Sequence, residues 1–180
     1  MIADAVFAWG DRQPEKTALD HNGVCWSYRM FCDQIMRARG HFHALGLEGG
    51  GIVVVAVEDL RSSWTSSLAL RSLGVTTVPV SSAWEIGQLG IPELAAVAAL
   101  GAERWKGLSE VCAAQGLRLV PAYAGEGTPK AYDPSTRPGG HIMLSSGTTG
   151  VRKKVLMDPS FEVAYLRRRM RGNGIDHDSV

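Results

Sequence analysis

Cysteine is scarce in this 180-residue chain: Cys25, Cys32 and Cys112 are the only three, with no CxxC pair and no Cys/His ligand spacing. That argues against a disulfide framework and a zinc site, and it suits a reducing compartment. An excess of one charge is also missing. Nineteen basic against eighteen acidic residues leave a net charge of +1, so the chain as a whole offers no electrostatic case for nucleic acid or an anionic surface. The longest apolar run, IVVVAV at 52–57, falls far short of the ~20 residues needed to span a bilayer. Asp4 stands where a signal peptide would carry positive charge. A cytoplasmic protein without a transmembrane segment is expected.

Glycine, by contrast, is plentiful. Twenty-one in 180 residues exceed the typical ~7% and imply many tight turns, while 45% apolar and 21% charged residues place the chain among globular proteins with a sizeable core.

The N-terminal half reads in clear elements. Ile2, Ala5, Val6 and Trp9 recur at helical spacing up to a break at Gly10. TALDHNGVCWSY reads as a hairpin, with Asn22-Gly23 supplying the two positive-φ residues of a type I′ turn. Ser27 is placed to cap a helix whose stripe is Tyr28, Phe31, Ile35, Ala38, Phe42 and Leu45, ended by Gly46. IVVVAV is apolar at every position, as a strand covered on both faces should be. A helix around Trp64, Leu68 and Leu73 follows, then VTTVPV at 75–80. This β-α-β order predicts an α/β fold with a mostly parallel sheet and crossover helices. Further on, IPELAAVAAL reads as a helix begun by Pro92, LSEVCAAQ as another helix, and LRLVPA as a short strand. Residues 125–140 collect Gly, Pro, Thr and Asp and read as a loop, the one candidate internal boundary. HIML and KKVLM read as strands on either side of a polar turn.

That turn is the candidate site. MLSSGTTGVRKKV at 143–155 sets Ser145, Ser146, Gly147, Thr148, Thr149 and Gly150 between an apolar strand and a basic exit. Core packing does not require this composition. A glycine-rich turn lets consecutive N–H groups converge on one anion, with short hydroxyls and a lysine completing the shell, and phosphate is the usual guest. The segment matches neither the Walker loop nor GxGxxG, and it lacks the GxSxG of a nucleophile elbow.

SSGTTGxxK after an apolar strand resembles the phosphate-binding signature of the adenylate-forming superfamily: acyl-CoA synthetases, peptide-synthetase adenylation domains and luciferases. Here it runs from Ser145 through Gly150 to Lys153. The upstream order agrees: PEKTAL, then WSY opening a helix that ends in LGL, then glycines before IVVVAV, then WTSSLALRSLGVTTVPVSS. The resemblance implies that residues 1–180 are the N-terminal segment of an AMP-binding domain, and that the complete enzyme activates a carboxylic acid with ATP and Mg2+, then passes the acyl group to CoA or another acceptor. It suggests an acyl-CoA synthetase-like ligase and a setting such as fatty acid metabolism. It also implies that Ser145, Ser146, Gly147, Thr148, Thr149, Gly150 and Lys153 hold the β- and γ-phosphates. Two departures stand out: Arg152 where the family usually has proline, and Lys154 where it usually has glycine. The family's adenine, ribose and catalytic-lysine elements come after the stretch that this sequence covers, so the segment is expected to be inactive alone and to self-associate through uncovered apolar surface.

Two other readings stand beside this one. A shortened, non-catalytic nucleotide-binding or interaction module is the main alternative, and a serine amidohydrolase using Ser145 or Ser146 is the third. His41 and His43 read as solvated or core-edge residues, Trp26, Trp64 and Trp84 as core, and RRRMR at 167–171 as a solvated helix face rather than a nucleic-acid site. Arg152 is expected to point into water, with phosphate binding as its rival role.

Overall fold

A computed structural model describes residues 2–145 and 152–174. Helix α1 (Ile2–Arg12) leads into the hairpin β1 (Thr17–His21) and β2 (Val24–Ser27), and α2 (Tyr28–Ala44) follows. The chain then alternates through β3 (Ile52–Ala56), α3 (Leu60–Ser72), β4 (Thr76–Pro79), α4 (Ala83–Gln88), β5 (Leu94–Ala99), α5 (Leu108–Ala114) and β6 (Arg118–Pro121). An irregular stretch leads to β7 (His141–Ser145), β8 (Lys153–Met157) and α6 (Pro159–Gly172).

Six strands form one sheet in the order β6-β5-β3-β4-β7-β8, parallel throughout except for the antiparallel β7–β8 pair. The expected α/β architecture is therefore present. Strand β3 sits inside it because both of its faces are apolar. Val53 and Val55 join a core with α1, α2 and α3, while Val54 and Ala56 join a second core with α4 and α5. Burying each such valine contributes about 1.5–3 kcal/mol.

Crossover handedness explains the two layers. The step from β3 to β4 moves one way along the sheet and that from β4 to β5 moves the other way, so right-handed crossovers put α3 and α4 on opposite faces.

Local chemistry fixes the N-terminal elements as expected. Asn22 (φ 55°) and Gly23 (φ 74°) make the hairpin turn, and Ser27 caps α2 by accepting from the Met30 N–H. Phe31, Ile35, Ala38 and Phe42 form the buried stripe. Helix α1 runs through Gly10 to Arg12, and its buried residues are Ala3 and Val6, with Ala5 exposed.

One expectation is overturned in the middle of the chain. LAAVAA is strand β5, paired with β3 on one side and β6 on the other. A short apolar run has no period that separates helix from buried strand, and small alanines are what the crowded sheet centre admits: Ala96 and Ala98 are fully buried against the first core. The tryptophans differ too. Trp64 and Trp84 are 47% and 64% exposed, Trp26 is half-buried under the Arg61 guanidinium, and Trp105 is the one in the core.

Residues 122–140 contain no helix or strand, and they lie against the first helical layer. Arg39, almost fully buried, donates to the carbonyls of Lys130, Ala131 and Ser72, while Tyr132 stacks on Phe7 at 4.2 Å and donates to Asp4. Gly40 in α2 permits the approach, since a Cβ there would lie 1.7 Å from the Thr128 carbonyl oxygen.

A buried ion pair ties helix α6 to α3. Arg71 of α3 meets Glu162 through two hydrogen bonds of 3.0 and 2.7 Å, and its Nε donates to Gly139 O at 3.2 Å. Both side chains are more than nine-tenths buried. Breaking such a pair strands a charge, whereas replacing both members with apolar groups does not. Arg71→Met or Glu162→Met alone should lower unfolding free energy by about 3–5 kcal/mol, and the double substitution by much less, in urea titrations. Additive losses in the double variant would mean that the two charges are not coupled.

Candidate functional site

The parallel strands β3 to β7 share a direction, so Ala56, Pro79, Ala99, Pro121 and Ser145 lie at one end of the sheet. The carboxyl ends of parallel strands are where open α/β sheets bind ligands. The polar turn between β7 and β8 opens at that end. Ser146, Gly147, Thr148, Thr149 and Gly150, named above as site residues, lie outside the described residues, as does Val151. Ser145 and Lys153, which flank them, are described.

Those two residues face each other. In the β7–β8 register Ser145 pairs with Lys153 and Leu144 with Lys154. Directly opposite residues of an antiparallel pair share a face, with Cα atoms about 4.5–5.5 Å apart. A hydroxyl and an ammonium are thus brought to the same face at the mouth of the turn, both exposed. The alternation of strand residues sends Leu144 and Lys154 to the other face, toward α4. Leu144 packs there against the second core.

The three basic residues at the exit differ in what they meet. Arg152 pairs with Glu85 of α4 at 2.8 Å, and Lys154 Nζ donates to Leu89 O at 2.5 Å, at the other end of the same helix. Lys153 has no ion pair or hydrogen bond among the described residues. Arg152, expected to point into water, is half-exposed and also reaches the Glu85 carboxylate.

Sequence reasoning missed Glu85, although a signal was present. Ser82-x-x-Glu85 has the capping-box pattern at the start of α4. In the structure Ser82 Oγ accepts from the Glu85 N–H at 3.4 Å, while the Glu85 carboxylate accepts from Ser81 N–H at 2.9 Å and Ser81 Oγ at 2.6 Å. Trp84, Glu85, Leu89, Leu144, Arg152 and Lys154 enclose a small cavity of about 90 Å³ beside the turn.

A larger cavity of about 340 Å³ lies on the α3 side of β7. Its apolar wall includes Leu60, Trp64 and Pro79, and its polar floor is Arg71, Glu162 and His141. His141 Nδ1 and Thr77 Oγ1 are 2.9 Å apart. Burial pushes the His141 pKa below its usual 6.5, with the Arg71 charge adding to the effect and Glu162 opposing it.

His41 and His43 reach Pro121 O and Glu48, and no group of three or more His, Cys, Asp or Glu that could hold a metal occurs among the described residues. All three cysteines are free, and no helix among the described residues is long and apolar enough to cross a membrane.

Neither a family model nor a curated protein matches the sequence. Solved structures do match the fold. O-succinylbenzoate coenzyme A synthetase (MenE) from Bacillus subtilis in complex with AMP superposes with a TM-score of 0.74 at 15% identity, over 95% of this chain and 46% of that one. The same enzyme with ATP and magnesium ion gives 0.74 at 15%, over 96% and 37%. The Klebsiella oxytoca NpsA N-terminal subdomain gives 0.67 at 20%, over 86% and 41%. These are adenylate-forming enzymes, and the chain has the fold of the first part of their N-terminal domain while spanning less than half the length of each.

The depressed His141 pKa has a stability consequence. A buried neutral histidine binds fewer protons than its unfolded counterpart, so its contribution is fully present above about pH 6.5 and is lost as pH falls toward the folded pKa. Urea midpoints should drop as pH falls below about 6.5, and His141→Gln should flatten that drop. An unchanged pH slope in the variant would show that other groups carry it.

Proposed function

We propose that this chain is the N-terminal part of an AMP-forming carboxylate-activating ligase, acyl-CoA synthetase-like, and that the turn at 145–153 binds the phosphates of ATP. The observation that carries the reading is the pairing of Ser145 with Lys153 at the carboxyl end of a parallel sheet, with Lys153 the cation that α4 does not take. Support also comes from the likeness to enzymes solved with AMP and with ATP and magnesium ion.

The donor set fits a polyphosphate. Ser145, Ser146, Thr148 and Thr149 supply hydroxyls, Gly147 and Gly150 permit backbone N–H groups to converge, and Lys153 adds a point charge. Magnesium arrives with the nucleotide in this reading, since it binds mainly to phosphate oxygens and water. In the complete enzyme a carboxylate displaces pyrophosphate from ATP to give an acyl-adenylate, and CoA or another acceptor then takes the acyl group. The role of this chain's residues is to hold the departing pyrophosphate and neutralise its charge. The remaining length of the enzymes it resembles would complete the site, so the chain is assigned binding rather than turnover, in a soluble, cytoplasmic setting. The exposed apolar side chains of β8 and α6, among them Leu156, Phe161, Tyr165 and Met170, favour association with further polypeptide.

A non-catalytic nucleotide-binding module is the second reading. Pyrophosphate exchange driven by a panel of carboxylic acids should stay at background for the 180-residue chain. Sustained acid-dependent exchange would contradict its assignment as a partial site. In a completed enzyme carrying this segment, Thr148→Val or Lys153→Ala should slow adenylation by about 10- to 1,000-fold and spare thioester formation from preformed acyl-adenylate. Equal loss in both half-reactions would assign the turn to folding instead.

A further inference from the structure

We propose that the cavity on the α3 side of β7 is a ligand site for an uncharged aromatic molecule bearing a carbonyl oxygen, which accepts a hydrogen bond from His141 Nε2–H. The inference does not depend on how the 145–153 turn is read, and the residues it uses all lie among the described ones.

His141 sets the hydrogen-bonding character of the cavity floor. Its Nδ1 lies 2.9 Å from Thr77 Oγ1. Thr77 is fully buried, and this nitrogen is the one side-chain hydrogen-bond partner of its hydroxyl among the described residues. A proton on Nδ1 would leave the buried O–H without an acceptor, which is costly. The satisfied arrangement has Thr77 O–H donating to Nδ1, and that puts the ring proton on Nε2. Burial lowers the imidazole pKa, the Arg71 charge adds to the effect and Glu162 opposes it, so the ring is neutral at pH 7 with Nε2–H as its donor. Nε2 makes no hydrogen bond among the described residues. The buried side-chain atoms that lack a partner there are Arg61 Nε, Thr65 Oγ1 and Ser66 Oγ, so Nε2 is not enclosed and opens to the cavity that His141 lines.

The charges beside it select against ions. Arg71 and Glu162 hold each other through hydrogen bonds of 3.0 and 2.7 Å, and their charges cancel. A ligand carboxylate or ammonium would lose its hydration here with no unpaired countercharge to replace it. Shape selects for a ring. The volume of about 340 Å³ is that of a small-molecule site, and its wall sets Leu60 and Trp64 of α3 with Pro79 of β4. Trp64 is 47% exposed and stacks on no other aromatic ring among the described residues, so its indole is available to a planar guest.

The test is an NMR titration of the isotopically labelled 180-residue chain with benzamide, benzoate and benzylammonium at pH 7, reading the Trp64 indole and His141 imidazole signals. The parent is compared with Trp64→Ala and His141→Phe. Before any probe is added, the imidazole nitrogen shifts should place the proton on Nε2. Benzamide should move both sets of signals saturably, and the two charged probes should bind at least about tenfold more weakly. His141→Phe should weaken benzamide about two- to tenfold, the worth of one hydrogen bond. Trp64→Ala alters a half-exposed residue, so it should keep the fold and lose affinity severalfold.

A proton on Nδ1, or benzoate binding as tightly as benzamide, overturns the proposal. So do shifts that never saturate and spread over the exposed apolar residues of α6, which would mark adventitious contact. Trp64 and His141 signals that move with chain concentration alone would assign the cavity to a second copy instead. If His141→Phe fails to fold, Trp64→Ala decides, and unchanged benzamide affinity in that variant overturns the assignment.

Discussion

Everything in this molecule is arranged around the burial of β3 on both faces. A strand with Val53 and Val55 on one side and Val54 and Ala56 on the other is stable only between two helical layers. Given that, the chain must cross back over the sheet, and the right-handed rule assigns α3 to one face and α4 and α5 to the other. Because these strands are parallel, their carboxyl ends coincide. The Ser/Thr/Gly turn opens at that shared end because β7 is parallel to β4 and only β8 reverses direction.

The proposed phosphate site depends on the antiparallel return of β8. That return sets Ser145 across from Lys153, and by alternation it hands the neighbours of Lys153 to α4. A parallel exit would have separated the hydroxyl and the ammonium by a crossover. The basic run therefore acts through its strand register more than through its summed charge. On the arginine-rich α6 the basic residues are exposed, Arg169 lies over Tyr165, and the one buried residue of the helix is Glu162, on Arg71.

Much of this was readable from local chemistry. The Asn22-Gly23 turn, the Ser27 cap, the apolar stripe of α2 and the doubly buried β3 depend on residues close in sequence, and their patterns have one interpretation. Strand β5 depended on its neighbours: LAAVAA has the composition of a helix and becomes a strand because β3 and β6 need a thin partner between two cores. Trp84 looked like core by type and lies exposed, because α4 is short and its first turn sits at the mouth of the sheet. At the site, the spacing of Ser145 and Lys153 around a turn was visible, whereas Glu85 opposite Arg152 was not, since 67 positions separate them and no periodicity links a helix start to a strand start.

The central claim is that an anion binds at the mouth of the β7–β8 turn. The most direct measurement is a pyrophosphate titration of the isotopically labelled chain followed by amide NMR. The account predicts shifts concentrated at Ser145, Lys153 and the residues between them, with smaller ones at Ser82 to Glu85. Shifts confined to the cavity around His141 and Arg71, or to the basic face of α6, would contradict it.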